Sequence, residues 1–285
     1  MGSNTMKRST VVIFAAVVIA VVAIAAAILL TLSSQQQSPA AQTFDLPDLG
    51  GREVRVAVEN AYPPFNFITE AGEGAGWDYD ALREICTRLN CTPVFVEADW
   101  EGIFERLANL EYDVVADGAS ITEERRLIVD FSEPYQVTRQ LMVTRSDETR
   151  FSDATSLAEL AASGEVKVGA FEETTNFTIA SELVGVENVI AYTNDFDVLV
   201  EALRSGEVAA VVVDEQFAQT TIDLFPADFQ VMGEPLFEDQ LALVFPKESE
   251  LLDPFNQALE SMRADGTLER LDQQWFESFD VGLVE

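Results

Sequence analysis

The chain has 285 residues, enough for one large domain or two modest ones, and its 48% hydrophobic content excludes general disorder. Its 17 Lys+Arg stand against 50 Asp+Glu, a formal charge of −33 that argues against nucleic acid and anionic membrane surfaces as partners. There is no histidine, which excludes Ser-His-Asp and Cys-His catalysis, His-ligated zinc and histidine pH switching.

The first 44 residues contain no acid, and only Lys7 and Arg8 are charged there. From Thr10 to Leu32 run 23 uncharged, largely apolar residues, long enough to span a bilayer. Lys7 and Arg8 before this run hold residues 1–9 in the cytoplasm. Residues 10–32 are therefore expected to form a transmembrane anchor or uncleaved signal. The alternative is cleavage near "SPAAQ" (38–42), which leaves a secreted or periplasmic protein. Residues 33–50, beginning "SSQQQSPAAQ", read as a flexible linker. Beyond them lysine is confined to Lys167 and Lys247. An acidic, lysine-poor surface suits a salt-rich medium, and it also suits an ordinary soluble acidic protein.

After the linker the pattern alternates. "EVRVAVE" (53–59) is a strand, and "ENAYPPFNF" (59–67) is a loop stiffened by two prolines. Phe65 and Phe67 read as core plugs there, while Glu59 and Tyr62 stand nearest the strand's carboxyl end and are candidates for a ligand face. "YDALREICTRLN" (79–90) is an amphipathic helix with Asp80 as N-cap, and a strand starts at Cys91. Cys86 and Cys91, the only cysteines, could staple that helix end to the strand; two unpaired buried thiols are the alternative. "WEGIFERLANLE" (100–111) is a helix opened by Trp100, and "YDVVADG" (112–118) a strand. In "DGASITEERR" (117–126), Ser120 and Thr122 read as N-caps with Arg125 one turn on. A guanidinium beside a helix N-terminus makes a carboxylate trap; a weak surface ion pair is the other reading.

"QLMVTR" (140–145) is a further strand, followed by a helix around 155–162. "ERLANLEYDVVADG" (105–118) and "EALRSGEVAAVVVDE" (201–215) echo each other as helix, turn, buried strand and terminal acid. Any two βαβ units share that look; two similar lobes aiming strand ends at one crevice would share it too. Such alternation predicts an α/β fold with largely parallel sheets.

In order, "VRVAVENAYPPFNF", "GWDYDALREICTRLN", "EADWEGIFERL", "GASITEERRLIVDFSEPY", "GEVAAVVVDE" and "LESMRADGTLERLDQQWF" resemble the periplasmic solute-binding proteins for polar amino acids, which serve ABC transporters. The resemblance covers nearly all of 52–276. It implies a two-lobed type II periplasmic-binding fold, two α/β lobes joined by two crossover strands, with 51–137 and 240–285 forming lobe 1 and 138–239 lobe 2. It also implies that a free amino acid is bound between the lobes and delivered to an ABC-type permease by a monomer, with no cofactor, no metal and no catalytic residue. By position, Arg125 would clamp the α-carboxylate with help from Ser120, Gly118 and Thr175. Asp214 would hold the α-ammonium, and Tyr62 and Trp100 would sandwich the side chain.

Three residues depart from the family pattern. Glu173 stands where the family has a glycine, Asp117 where a small or hydroxyl residue is usual, and Glu59 where binders of basic amino acids tend to have aspartate. Together they favour a cationic, arginine-like ligand if they line the cleft. Some relatives on this scaffold are dehydratases that use an added general acid where this chain has Phe177. A sensor acting through a partner is a further alternative, since no output module follows Phe276.

Overall fold

The computed structural model describes residues 44–277. The anchor expected over 10–32 lies outside the described residues, as does most of the linker. Among the described residues no helix is long and apolar enough to cross a membrane.

The first part of the chain builds one sheet. It opens with β1 (Arg52–Val58), then a small antiparallel set, β2 (Ala61–Tyr62), β3 (Asn66–Ile68) and β4 (Gly74–Ala75). Helix α1 (Trp77–Leu89), β5 (Cys91–Glu97), α2 (Ile103–Ala108), β6 (Val114–Val115) and β7 (Val129–Phe131) follow. In β1, Val54, Val56 and Val58 pack into one core and Ala57 into another, as the period of two demands of a strand covered on both faces. Leu82, Ile85, Cys86 and Leu89 form the buried stripe of α1. Its start is tight, because a Cβ on Gly76 would lie 2.2 Å from the Phe65 carbonyl oxygen. Its end turns at left-handed Asn90, and the Cys86–Cys91 disulfide ties the last turn to β5.

The chain then crosses into a second sheet through β8 (Gln136–Arg145), α3 (Ala154–Ala162), β9 (Val168–Phe171), α4 (Thr175–Val184) and β10 (Val189–Tyr192). It continues with α5 (Phe196–Ser205), β11 (Ala210–Asp214), α6 (Glu215–Leu224), β12 (Phe229–Val231) and β13 (Phe237–Leu241). Alternate β11 residues again divide, Val211 and Val213 to one core, Ala210 and Val212 to the other. The return strand β14 (Val244–Pro246) rejoins the first sheet, capped by α7 (Leu252–Ala264) and α8 (Thr267–Asp272).

The first sheet runs β5-β1-β6-β14-β7 and the second β10-β9-β11-β8-β12, with β13 also paired to β8. Parallel pairs dominate the interiors, while β8 and β14 run antiparallel to their neighbours. Two antiparallel segments link the sheets: Tyr135 N–H donates to Leu241 O at 3.0 Å, and Ser132 N–H to Leu243 O at 2.9 Å. The two-lobed α/β architecture is thus present.

Local expectations shift in three places. Asp80 lies inside the first turn of α1 and bonds Arg83 rather than capping. The helix expected over 100–111 is only α2, since Gly102 takes a left-handed conformation and delays its start. The helix expected after Ser120 is a short 3-10 turn, Arg125–Leu127. There Ile121 N–H bonds Gln240 O at 2.9 Å, so the backbone stays extended beside β13 and helix formation waits for Thr122.

Candidate ligand-binding site

A cleft with about 760 Å³ of empty space, mouth included, opens between the two sheets at the carboxyl ends of β1, β6 and β11. Glu59, Tyr62, Trp100, Asp117, Gly118, Ser120, Arg125, Thr175 and Asp214 all line it. Chain reversal after each strand explains the convergence, because every one of these residues follows or ends a strand or opens a helix. Gly118 has φ 53°, and a Cβ there would meet the Tyr62 ring at 2.5 Å, so only glycine lets that ring stand at the cleft wall.

One end of the cleft is built around Arg125. Its Nη1 donates to Ser120 O at 2.9 Å and its Nη2 to Glu173 O at 3.0 Å, while the guanidinium lies over the Phe104 and Trp100 rings at 4.4 and 5.3 Å. Burial lowers its pKa to about 10, so it stays charged at neutral pH. The Arg125 backbone amide donates to Thr122 Oγ1, which gives Thr122 the capping role. Ser120 has another task. Its hydroxyl, the Thr175 hydroxyl and Gln140 Nε2 all donate to Asp239 Oδ2, at 3.2, 2.9 and 2.7 Å. Thus Asp239, a buried acid of β13, already holds two of the hydroxyls expected at a ligand carboxylate. Sequence reasoning missed it, although β13 carries a signal: Asp239 shares the buried phase of the strand with Leu241.

Glu173 bridges the cleft. It has φ 58°, which is why glycine suits the position. Its carbonyl accepts from Arg125 and, at 3.3 Å, from Trp100 Nε1; its Oε2 accepts from Gly102 N at 3.0 Å. The carboxylate thus reaches the opposite lobe instead of lining the ligand space.

At the centre, Asp214 caps α6 by accepting from Phe217 N at 3.0 Å and lies beside the Tyr62 hydroxyl. Burial raises its pKa. Tyr62 stacks on Phe65 with centroids 4.8 Å apart, and Trp100 meets Phe104 edge-on at 5.3 Å. Phe171, Phe196 and Phe217 add an aromatic wall from the second lobe that sequence reasoning did not anticipate.

The other end is acidic. Asn194 of the second lobe donates to Glu59. Asn66 donates through Nδ2 to Asp117 Oδ1 at 2.7 Å and to Asp78 Oδ2 at 2.9 Å. Burial, and for Glu59 the charge of Asp117, raises Glu59 and Asp117 to about 8; burial raises Asp78 to about 7. Asn66, Asp78 and Asn194 had no place in the sequence reading. Their roles depend on partners far away in the chain.

A two-lobed α/β molecule with a charge-lined cleft between its strand ends is built as a ligand receptor. Residues 54–278 match the model of the bacterial extracellular solute-binding proteins, family 3, and the chain belongs to that family. Among its relatives is the L-cystine-binding protein TcyJ of Escherichia coli K12, 28% identical over 225 residues, or 78% of this chain and 81% of the relative. The histidine-binding periplasmic protein of Salmonella typhimurium is 28% identical over 242 residues, 81% and 89% of the two chains. A solved structure of an ancestral arginine-binding protein bound to arginine superposes with a TM-score of 0.71 at 32% identity, covering 79% of this chain and 98% of that one. These relatives are named as binding proteins, not enzymes.

Proposed function

We propose that this chain is the extracytoplasmic receptor of an ABC-type transporter that captures a free basic amino acid, arginine foremost, and delivers it to a membrane permease. The observation that carries this reading is the sign of charge at the two ends of one cleft. Arg125 offers a guanidinium to an α-carboxylate, and Asp214 meets an α-ammonium between the lobes. Glu59 and Asp117 then face the far end of the ligand. Tyr62 and Trp100 supply flat rings on which a guanidinium can stack while offering its fork to a carboxylate. The likeness to a protein solved with arginine supports the same ligand class.

In this reading, 51–137 with 240–285 and 138–239 move as two lobes of a monomer. Residues 10–32 anchor it and 33–50 tether it to the outer face of the membrane. Calorimetric titration of the purified chain against the twenty amino acids and ornithine tests the ligand. The expected order is arginine, then lysine, ornithine and histidine, with glutamine the best neutral competitor. A preference for glutamine, or binding of glutamate, at moderate salt overturns the specificity and leaves the receptor assignment standing.

A further inference from the structure

The acidic end of the cleft is an array rather than two separate carboxylates. A single amide, Asn66 Nδ2, donates to Asp78 and to Asp117, while Asn66 Oδ1 is itself fixed by the Asn60 amide at 2.7 Å. Asn66 and Asp78 are fully buried, and Asp117 is 2% exposed. All three lie in the first lobe, Asn66 in β3, Asp78 in α1 and Asp117 just after β6, so this part of the array does not depend on the second lobe. Glu59, half-buried, extends the row to the ligand space and is met there by Asn194 from the second lobe.

The groups that face the array do not neutralise it. Glu59 sees Asp117, Asp99, the Asn194 amide and the Trp100 backbone N–H. Asp117 sees Asn66, Asp78 and the Glu59 backbone N–H, and Tyr62 and Tyr135 lie close enough to feel its charge. Asp78 sees Asn66 and the Tyr135 hydroxyl. None of these groups is a cation. Arg125, the half-buried base of the cleft, is engaged by Ser120 O and Glu173 O, and the charges that act on it are Asp239, Glu124 and Glu173. Although the Glu59 N–H approaches Asp117, Asp117 Oδ2 has no partner at hydrogen-bonding geometry, and neither has Asp78 Oδ1. Among the described residues, no group of three or more carboxylate or cysteine side chains could hold a metal ion.

Neighbouring carboxyls buried without a counter-ion cannot all ionise, because desolvation and mutual repulsion both favour keeping a proton. A ligand cation supplies the missing charge. We propose that the Asp78–Asn66–Asp117–Glu59 array holds a proton while the cleft is empty and releases it to solvent when a cationic amino acid docks, so that capture is linked to deprotonation. One carboxyl O–H breaks, its electron pair stays on the carboxylate, and the proton passes to water or buffer. This rests on the basic-ligand reading above. The raised carboxyl pKa values, about 7 for Asp78 and about 8 for Glu59 and Asp117, agree with the geometry and set the pH window. Arginine affinity should rise with pH up to about 8, by as much as about tenfold per unit where one full proton is released, and then level off. Glutamine brings no side-chain cation to this array, so its affinity should stay flat.

The test is calorimetry of arginine binding to the full chain near pH 7 in phosphate, HEPES and Tris, whose heats of ionisation differ. The expected result is an apparent enthalpy that tracks the buffer heat with a slope of roughly half to one proton released per arginine, and a slope near zero for glutamine. In infrared difference spectra, the carbonyl band of a protonated carboxyl should disappear on arginine binding. Asp117→Asn should reduce the proton count; if that variant fails to fold, the infrared band of the unaltered chain decides. Arginine binding with no buffer dependence and no loss of the band overturns the proton linkage and leaves the basic-ligand reading intact. Failure of arginine to bind at all overturns that reading and the linkage with it.

Discussion

The two ends of the cleft are both partly withdrawn from water, yet they solve the problem of desolvated charge differently. Arg125 remains charged because two backbone carbonyls and two aromatic faces replace the water it lost. The Asp78–Asp117–Glu59 end has amides and no cation, and its carboxyls are pushed toward the neutral form. A guanidinium with five donors can be satisfied by ordinary backbone carbonyls. Clustered carboxylates repel one another, and amides cannot cancel that repulsion. The basic end therefore keeps its charge without a ligand and has donors to spare for one, whereas the acidic end needs a ligand's charge to ionise.

Removing the basic end should have the largest effect. Arg125→Ala is expected to abolish detectable amino acid binding while the circular dichroism spectrum is unchanged, since losing one partner of a desolvated charged pair costs about 2–5 kcal/mol, on the order of 30-fold or more in affinity. Binding at wild-type strength would show that this end does not hold the carboxylate.

At the acidic end, Glu59→Gln combined with Asp117→Asn should weaken arginine by roughly tenfold or more relative to glutamine, measured by parallel titrations. Equal losses for both ligands would mean that these acids support the cleft wall and do not read the ligand's charge.

The same carboxyls should mark the stability of the empty protein. Their folded pKa values lie above the ordinary values of 4.5 for Glu59 and 3.8 for Asp78 and Asp117. The folded state therefore binds more protons than the unfolded state between about pH 4 and 8. This contribution is fully present below about pH 4 and is lost as pH rises through about 7 to 8. The melting temperature of the empty chain should fall across that window, and arginine should restore more of it at pH 8 than at pH 6. A flat profile in differential scanning calorimetry would show that the array is ionised throughout.

Glu173 gives a smaller and more particular effect. Glycine at this position relieves the positive φ, a stabilisation of about 1 kcal/mol or less, and deletes the bond to the Gly102 amide. Glu173→Gly should release ligand a few-fold faster in stopped-flow dissociation without lowering the melting temperature. An unchanged release rate would limit Glu173 to a turn role. Reduction of Cys86–Cys91 should have the least effect on the cleft. The loop it closes is short, so the loss should stay below the ~3 kcal/mol that chain entropy assigns to a loop of about 15 residues. It should appear as a modest fall in melting temperature with ligand order unchanged.

Much of this arrangement follows from the chain read residue by residue. The alternation in β1 and β11, the stripe of α1 and the five-residue spacing of Cys86 and Cys91 are local, because a period of 2 or 3.6 is set by backbone geometry alone. Strand-end positions, together with the family motifs, were enough to nominate nine residues that line the cleft, since ligands of α/β folds gather where strands end. Tertiary structure alone decided what those residues do to one another. Asn66 meets Asp117 across 51 residues, Ser120 meets Asp239 across 119, and Asn194 meets Glu59 across 135. No periodicity encodes such pairs, because they depend on how two separately wound sheets are brought face to face. The titration of a carboxyl depends on these distances and on the water excluded around it. For that reason the sequence could place acids at Glu59 and Asp117, but only the packed cleft determined that they stand without a cation of their own.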